Sequence, residues 1–171
     1  MTRRQNGTCD AAGEAFWRFS LALYARPGVA PALIALQDRA GCNVNLILFA
    51  LWRGATRGER LDAAGLAGAA AVVAPLDAVV VPLRALRRQL KFVPDHDTQA
   101  LRRGVAGIEI AAERAEQRRL AASLGSPPRG APETDRRAAA AANLALCLGA
   151  ADGSPEAALL RRSLAALMRC A

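Results

Sequence analysis

Apolar residues recur three and four positions apart along most of the chain, the spacing of one face of a helix. Between about residues 11 and 25, Phe16, Phe19 and Leu23 with Trp17, Leu21 and Tyr24 cover most of the circumference, so this first helix is expected to be well buried, with Asp10 as its cap. Arg26-Pro27-Gly28 breaks the pattern, and Pro27 or Pro31 opens a second helix to about Ala40 with Val29, Leu33 and Leu36 as its core stripe. Gly41 supplies the left-handed residue that ends it. Asn43 is placed to cap a third helix to about Arg53, and the body VNLILFALW is apolar nearly all round, which marks the centre of a bundle. Such a cap contributes about 1 kcal/mol, so Asn43→Ala should lose that much and Asp or Ser should restore most of it.

Downstream, a fourth helix over about 60–74 is expected to stop at Pro75, because proline lacks the N–H and its ring clashes with the preceding turn. A fifth, about 76–92, carries Leu76, Val79, Leu83, Leu86 and Leu90 at seam spacing, with Pro82 as a kink. After a turn from Phe92 to Asp97, a sixth helix capped by Asp97 runs to about 124, and Leu101, Val105, Ile108 and Ala112 repeat the seam. The fifth and sixth helices should therefore pair as an antiparallel hairpin. GSPPRGAPET, residues 125–134, reads as a linker, and two further helical patterns (about 135–149 and 155–170) either cap the bundle or sit loosely beside it. The fold class is all-α: one bundle of six to eight helices, with residues 1–126 as its body, 127–134 as a linker and 135–171 as a C-terminal helical pair.

Composition sharpens this picture. At 171 residues, 53% hydrophobic and 22% charged, the chain is of single-domain size and globular type, and its alanine content favours helix. Aromatic residues are only 4% of the chain, yet Phe16 to Trp52 holds both tryptophans, the one tyrosine and three of the four phenylalanines. A net charge of +8 invites a nucleic-acid or anionic partner. Against that, all the basic residues but Lys91 are arginine, and they are spread from Arg3 to Arg169 among acids, as in a generically basic protein. Cys9, Cys42, Cys147 and Cys170 show no paired spacing, so no zinc or redox motif is present and a reduced cytosol fits best. The N-terminus has no apolar signal core. Ala63 to Leu83 is long enough to span a bilayer, but Asp77 lies near its middle and Pro75 and Pro82 interrupt it, so two buried helices meeting at Pro75 are expected and not a membrane span.

Two groups of residues are candidates for chemistry. Gln37, Asp38 and Asn45, beside Gly41 and Asn43, form a polar cluster in strongly apolar sequence, and with Trp17, Tyr24 and Trp52 they could line a ligand pocket. The plainer account is that Asn43 caps its helix while the others satisfy buried backbone groups. Arg84, Arg87, Arg88 and Lys91 lie within an arc of about 100° on the fifth helix. Glu109, Glu113 and Glu116 share one face of the sixth, which without Glu-x-x-His pairs reads as a solvated stripe or a partner for arginines rather than a di-iron site. Hairpin register sets Arg84 level with about residue 104, so Arg84 can reach Glu109 while Arg87, Arg88 and Lys91 stay largely unneutralised. His96 is the single histidine, and no nucleophile, phosphate-loop or metal-protease signature occurs. No catalytic residue, metal ligand or cofactor is assigned.

LALYARPGV, LQDRAG, VNLILFALW, VVVPLRALRRQLK and EIAAERAEQRRL, in that order, resemble an uncharacterised all-helical proteobacterial family of conserved hypothetical proteins, over about residues 15–124. The resemblance implies a bacterial cytosolic protein and supplies no activity. The leading expectation is a cytoplasmic interaction or regulatory module that meets an acidic protein or nucleic acid through Arg84, Arg87, Arg88 and Lys91. The alternative is a small-molecule-binding protein or enzyme using Gln37, Asp38 and Asn45.

Overall fold

A computed structural model describes residues 2–125 and 130–169, with side chains from residue 11 onward. Seven α-helices and no strand are found among the described residues: α1 (Thr2–Tyr24), α2 (Val29–Ala40), α3 (Val44–Arg57), α4 (Ala63–Leu90), α5 (His96–Ala122), α6 (Glu133–Leu148) and α7 (Pro155–Met168), with a short 3-10 turn at Gly149–Gly153. The protein is an all-α bundle. α1 runs through residue 10, so the expected cap at Asp10 falls inside a helix, and nothing is described of that side chain.

Glycine in the left-handed region frames α2: Gly28 at φ 80° and Gly41 at φ 65° turn the chain at its two ends, where a side chain would be strained. α1 meets α2 at 101°. That turn sets α3 across the middle of the molecule, where nine of its fourteen residues are buried. Phe16 of α1 stacks on Trp52 of α3 at 4.8 Å between ring centroids, with Phe49 tilted against both. This aromatic cluster accounts for the concentration of aromatic residues in one stretch of sequence.

The C-terminal helices are part of the same core. Leu144 and Leu148 of α6 and Ala157, Leu160 and Leu164 of α7 join the cluster built on α1, α2 and α3. α6 lies so close to α3 that a Cβ on Gly54 would overlap the Ala140 backbone. Asn143, fully buried, donates to the carbonyls of Ala50 at 3.1 Å and Glu59 at 2.9 Å and accepts from the Leu61 amide at 2.7 Å. Its bonds to Glu59 and Leu61 satisfy backbone groups of the loop after α3 that would otherwise be unpaired inside the protein, and its bond to Ala50 ties α6 to the middle of α3.

α4 differs most from expectation. Pro75 does not end a helix; α4 is continuous through both Pro75 and Pro82. The two prolines are seven residues apart and so share one face, and both are exposed. Each removes the bond to the carbonyl four residues back, on Ala71 and Ala78, and those residues are exposed too. Water can satisfy the carbonyls that are freed, so the helix persists. Nor is this segment the pair of buried helices expected: α4 is long and apolar enough to cross a membrane, and only 17% of its most apolar 18-residue window is buried.

Its inward face carries Ala69, Val73 and Val80, rotated from the expected leucine seam. Leu76, Leu83 and Leu90 are half-buried, while Val79 and Leu86 are exposed, as are Leu101 and Ile108 across the hairpin. α5 starts at His96 with Asp95 as its N-cap, two residues earlier than the expected start and cap, and Asp95 Oδ1 accepts from the Thr98 amide at 2.9 Å.

Candidate functional site

The arginines of α4 lie on the face that Ala69, Val73 and Val80 begin. Positions 69, 73, 80, 84 and 87 follow one another at helical spacing, so Arg84 and Arg87 continue a stripe that faces the bundle. The expectation that most of this cluster is unneutralised is therefore wrong. Arg84 pairs with Glu113 at 3.1 Å and lies 4.0 Å from Glu109; Arg87 pairs with Glu109 at 2.7 Å; Arg88 crosses to Asp38 of α2 at 2.7 Å. Only Lys91, at the C-cap of α4, has no ion pair among the described residues.

The ion pairs reach further along the hairpin than backbone level alone allows, because helical side chains do not stand perpendicular to their axis. Both lean toward their own N-terminus, which in an antiparallel hairpin sends α4 side chains away from the turn and α5 side chains toward it. Arg87 is level with about residue 101, and at about 1.5 Å per residue its eight-residue offset from Glu109 is about 12 Å. A long arginine and a glutamate leaning toward each other close it.

The second candidate group converges on the same place. Asn43 caps α3, its Oδ1 accepting from the Leu46 amide at 3.0 Å, while its Nδ2 donates to Asp77 of α4 at 2.5 Å. Two residues on, Asn45 is buried and donates through Nδ2 to Glu116 of α5 at 2.6 Å. Asn45 Oδ1 accepts from Gln117 at 2.8 Å, and Gln117 accepts in turn from the Ser20 hydroxyl at 3.1 Å. The start of α3 thus holds one carboxylate from each arm of the hairpin. Gln37 lies 3.4 Å from Asp38, and both flank the opening.

Between these elements lies a cleft of about 420 Å³, walled by Val44, Val80, Val81 and Ala85 and lined by Gln37, Asp38, Cys42, Asn43, Asn45, Asp77, Arg84, Arg88, Glu113 and Glu116. A neighbouring cavity of about 360 Å³ shares Gln37, Asp38, Arg84, Arg88 and Glu113 and extends to Tyr24 and Arg87. Trp17 lines a smaller cavity with Tyr24 and Asn45, and the Arg114 guanidinium lies 5.6 Å from the Trp17 ring centre. Trp52 is not at the site; the Phe16 stack takes its ring into the core.

Electrostatically the cleft is divided. The hydrogen bond from Arg88 holds the Asp38 carboxyl below its ordinary range. Burial pushes Glu113 up against the pull of Arg84, and burial together with Glu113 pushes the Tyr24 hydroxyl up to about 12. Glu116 is the extreme case: it is 1% exposed, and its pKa rises to about 7, first by burial and further by Asp77 and Glu113, although the Asn45 amide opposes the rise. Its Oε1 is buried and has no hydrogen-bond partner among the described residues. Among the described residues no group of three or more His, Cys, Asp or Glu side chains is arranged to hold a metal ion.

Residues 15–120 match a family model described as "Protein of unknown function (DUF2390)". The chain belongs to that family. The match is close to the span that the five motifs mark and contains every residue lining the cleft, while α6 and α7 lie beyond it. No curated protein and no solved structure matches the chain.

Asp77, Glu116, Gln117 and Ser20 were not singled out from sequence as parts of this site. Asp77 did carry a signal, as the lone charge in an apolar stretch, and Glu116 carried one as a member of the glutamate stripe. The double role of Asn43 changes what its substitutions should do. Asn43→Ala should still cost about 1 kcal/mol, and Asn43→Ser should restore the cap. Asn43→Asp should not, because it sets a second carboxylate against Asp77 in place of the amide donor. Chemical denaturation of the three variants at pH 7 checks this ordering.

Proposed function

We propose that this protein binds a small molecule in the cleft between the α2–α3 turn and the α4–α5 hairpin, and that its arginines build the site instead of displaying a basic surface. One observation carries the reading: Glu116 is buried at the wall of a cleft of about 420 Å³, with one carboxyl oxygen unpartnered among the described residues. A buried carboxyl without a partner is costly, and proteins keep such groups where they do chemistry or binding. The ordered supports behind it (Asn45, Gln117, Ser20) fix its orientation, as a binding site requires. The reading takes the protein to be bacterial and cytosolic, on the motif resemblance and on the free thiols of Cys42 and Cys147.

The alternative of an acidic macromolecular partner loses its main support, since Arg84, Arg87 and Arg88 each already hold a carboxylate. A thermal-shift screen against a library of small metabolites tests the proposal, run beside Ala85→Trp, which places an indole at the exposed edge of the cleft. At least one compound class should raise the melting temperature of the parent protein and leave Ala85→Trp unmoved. Shifts of equal size in both proteins, or none in either, would contradict it.

A further inference from the structure

We infer that the cleft takes a compact organic cation, a protonated primary amine with a short alkyl stem, on the carboxylates of Asp77 and Glu116. The inference rests on the small-molecule reading above and adds the class of ligand. Four carboxyls line the cleft against two guanidiniums. Arg88 is taken by Asp38 and Arg84 by Glu113. That leaves Asp77 and Glu116 with no ion pair among the described residues, Arg84 acting on Glu116 only at longer range.

The two remaining carboxyls are arranged alike. Each accepts one amide hydrogen from an asparagine at the start of α3, Asn43 to Asp77 Oδ2 and Asn45 to Glu116 Oε2. In each the second oxygen has no hydrogen bond among the described residues, and for Glu116 that oxygen is also buried. An ammonium group has three donors and one positive charge, so it answers both the acceptor oxygens and the excess negative charge that these two carboxyls bring to the cleft. Val44, Val80 and Val81 supply an apolar wall for the carbon stem. A cavity of about 420 Å³ suits a small molecule and not a peptide chain.

Binding is then linked to protons. Facing Glu116 are Asp77, Arg84 and Arg88 from α4, Glu113 from its own helix, and Asp38 and Cys42 from the α2–α3 side. On its own, burial together with Asp77 and Glu113 keeps Glu116 half-protonated near neutrality. An ammonium ion favours the charged carboxylate, so its arrival expels the proton, and affinity must rise with pH.

Isothermal titration calorimetry tests this with n-butylamine as the probe and butyrate as its anionic counterpart, at pH 6, 7 and 8 and in buffers of different ionisation heat. Butylamine should bind about tenfold more tightly at pH 8 than at pH 6 and release about half a proton at pH 7. Glu116→Gln and Asp77→Asn should each abolish binding; Glu116→Gln is neutral and nearly isosteric, so it keeps the test open if the other variant misfolds. Butylamine binding that survives both substitutions overturns the assignment of the pair. Butyrate binding in place of butylamine overturns the ligand class while the cleft remains a binding site. If no compound shifts the melting temperature in the screen above, the underlying reading fails as well.

Discussion

At pH 8 the ligand-free Glu116→Gln variant should be more stable than the parent chain by about 3 kcal/mol, and at pH 4 the two should be alike. Glu116 is raised from an ordinary 4.5 to about 7, so the native state holds its proton more tightly than the unfolded chain does. Its neutral form contributes fully below about pH 4.5, and that contribution is lost as pH rises through 7. At about 1.4 kcal/mol per pH unit of displacement, the loss by pH 8 is about 3 kcal/mol. Glutamine does not titrate and is free of this penalty; its oxygen can keep the Asn45 bond while its amide takes the unpartnered position beside the cleft. Urea denaturation from pH 4 to 8 checks the claim. Stability curves that run parallel across the whole range, or a variant weaker than the parent at pH 8, would refute it.

Gly54→Ala should cost about 3 kcal/mol or more, among the largest effects of any single methyl group in this molecule. The added Cβ meets the backbone of Ala140 and Ala139, which cannot turn aside as a flexible side chain would. Relief requires α3 and α6 to separate, which opens a gap along a core that includes Leu51, Ala140 and Leu144. Gly104→Ala is the matching control: it lies in α5, exposed and with nothing near its would-be Cβ, so the substitution should gain up to about 1 kcal/mol of helix propensity. Equilibrium denaturation of both variants separates packing from propensity. A cost below about 1 kcal/mol at Gly54 would mean that the two helices are not in close contact there.

The contrast between these residues and the sequence reading is instructive. Helix identity was legible where the signals were local: the stripe Val29, Leu33 and Leu36, the Gly41 stop and the Asn43 cap depend on neighbours within one turn. Proline at 75 was misread because its cost depends on which way the freed carbonyl faces, and that is a property of the assembled bundle. The leucine seam failed for a related reason. Periodicity finds an apolar stripe, but α4 carries a second inward stripe in Ala69, Val73 and Val80, and tertiary packing chose the smaller residues.

The site shows the same division. Both candidate clusters were visible as residue types, Gln37, Asp38 and Asn45 in one and the arginines of α4 in the other. Their convergence was not, because Arg88 and Asp38 are fifty residues apart and nothing local ties them together. Nor does spacing report that Glu116 is buried, since its face of α5 reads as a charged stripe until α3 is placed against it.

The central claim, that Glu116 is a buried, asparagine-held carboxyl in a ligand cleft, is tested most directly by following its carboxyl carbon by NMR as pH is varied, with and without n-butylamine. The account predicts a midpoint near 7 for the free protein, falling when the amine is present. A midpoint at the ordinary value of about 4.5 in both samples would contradict it.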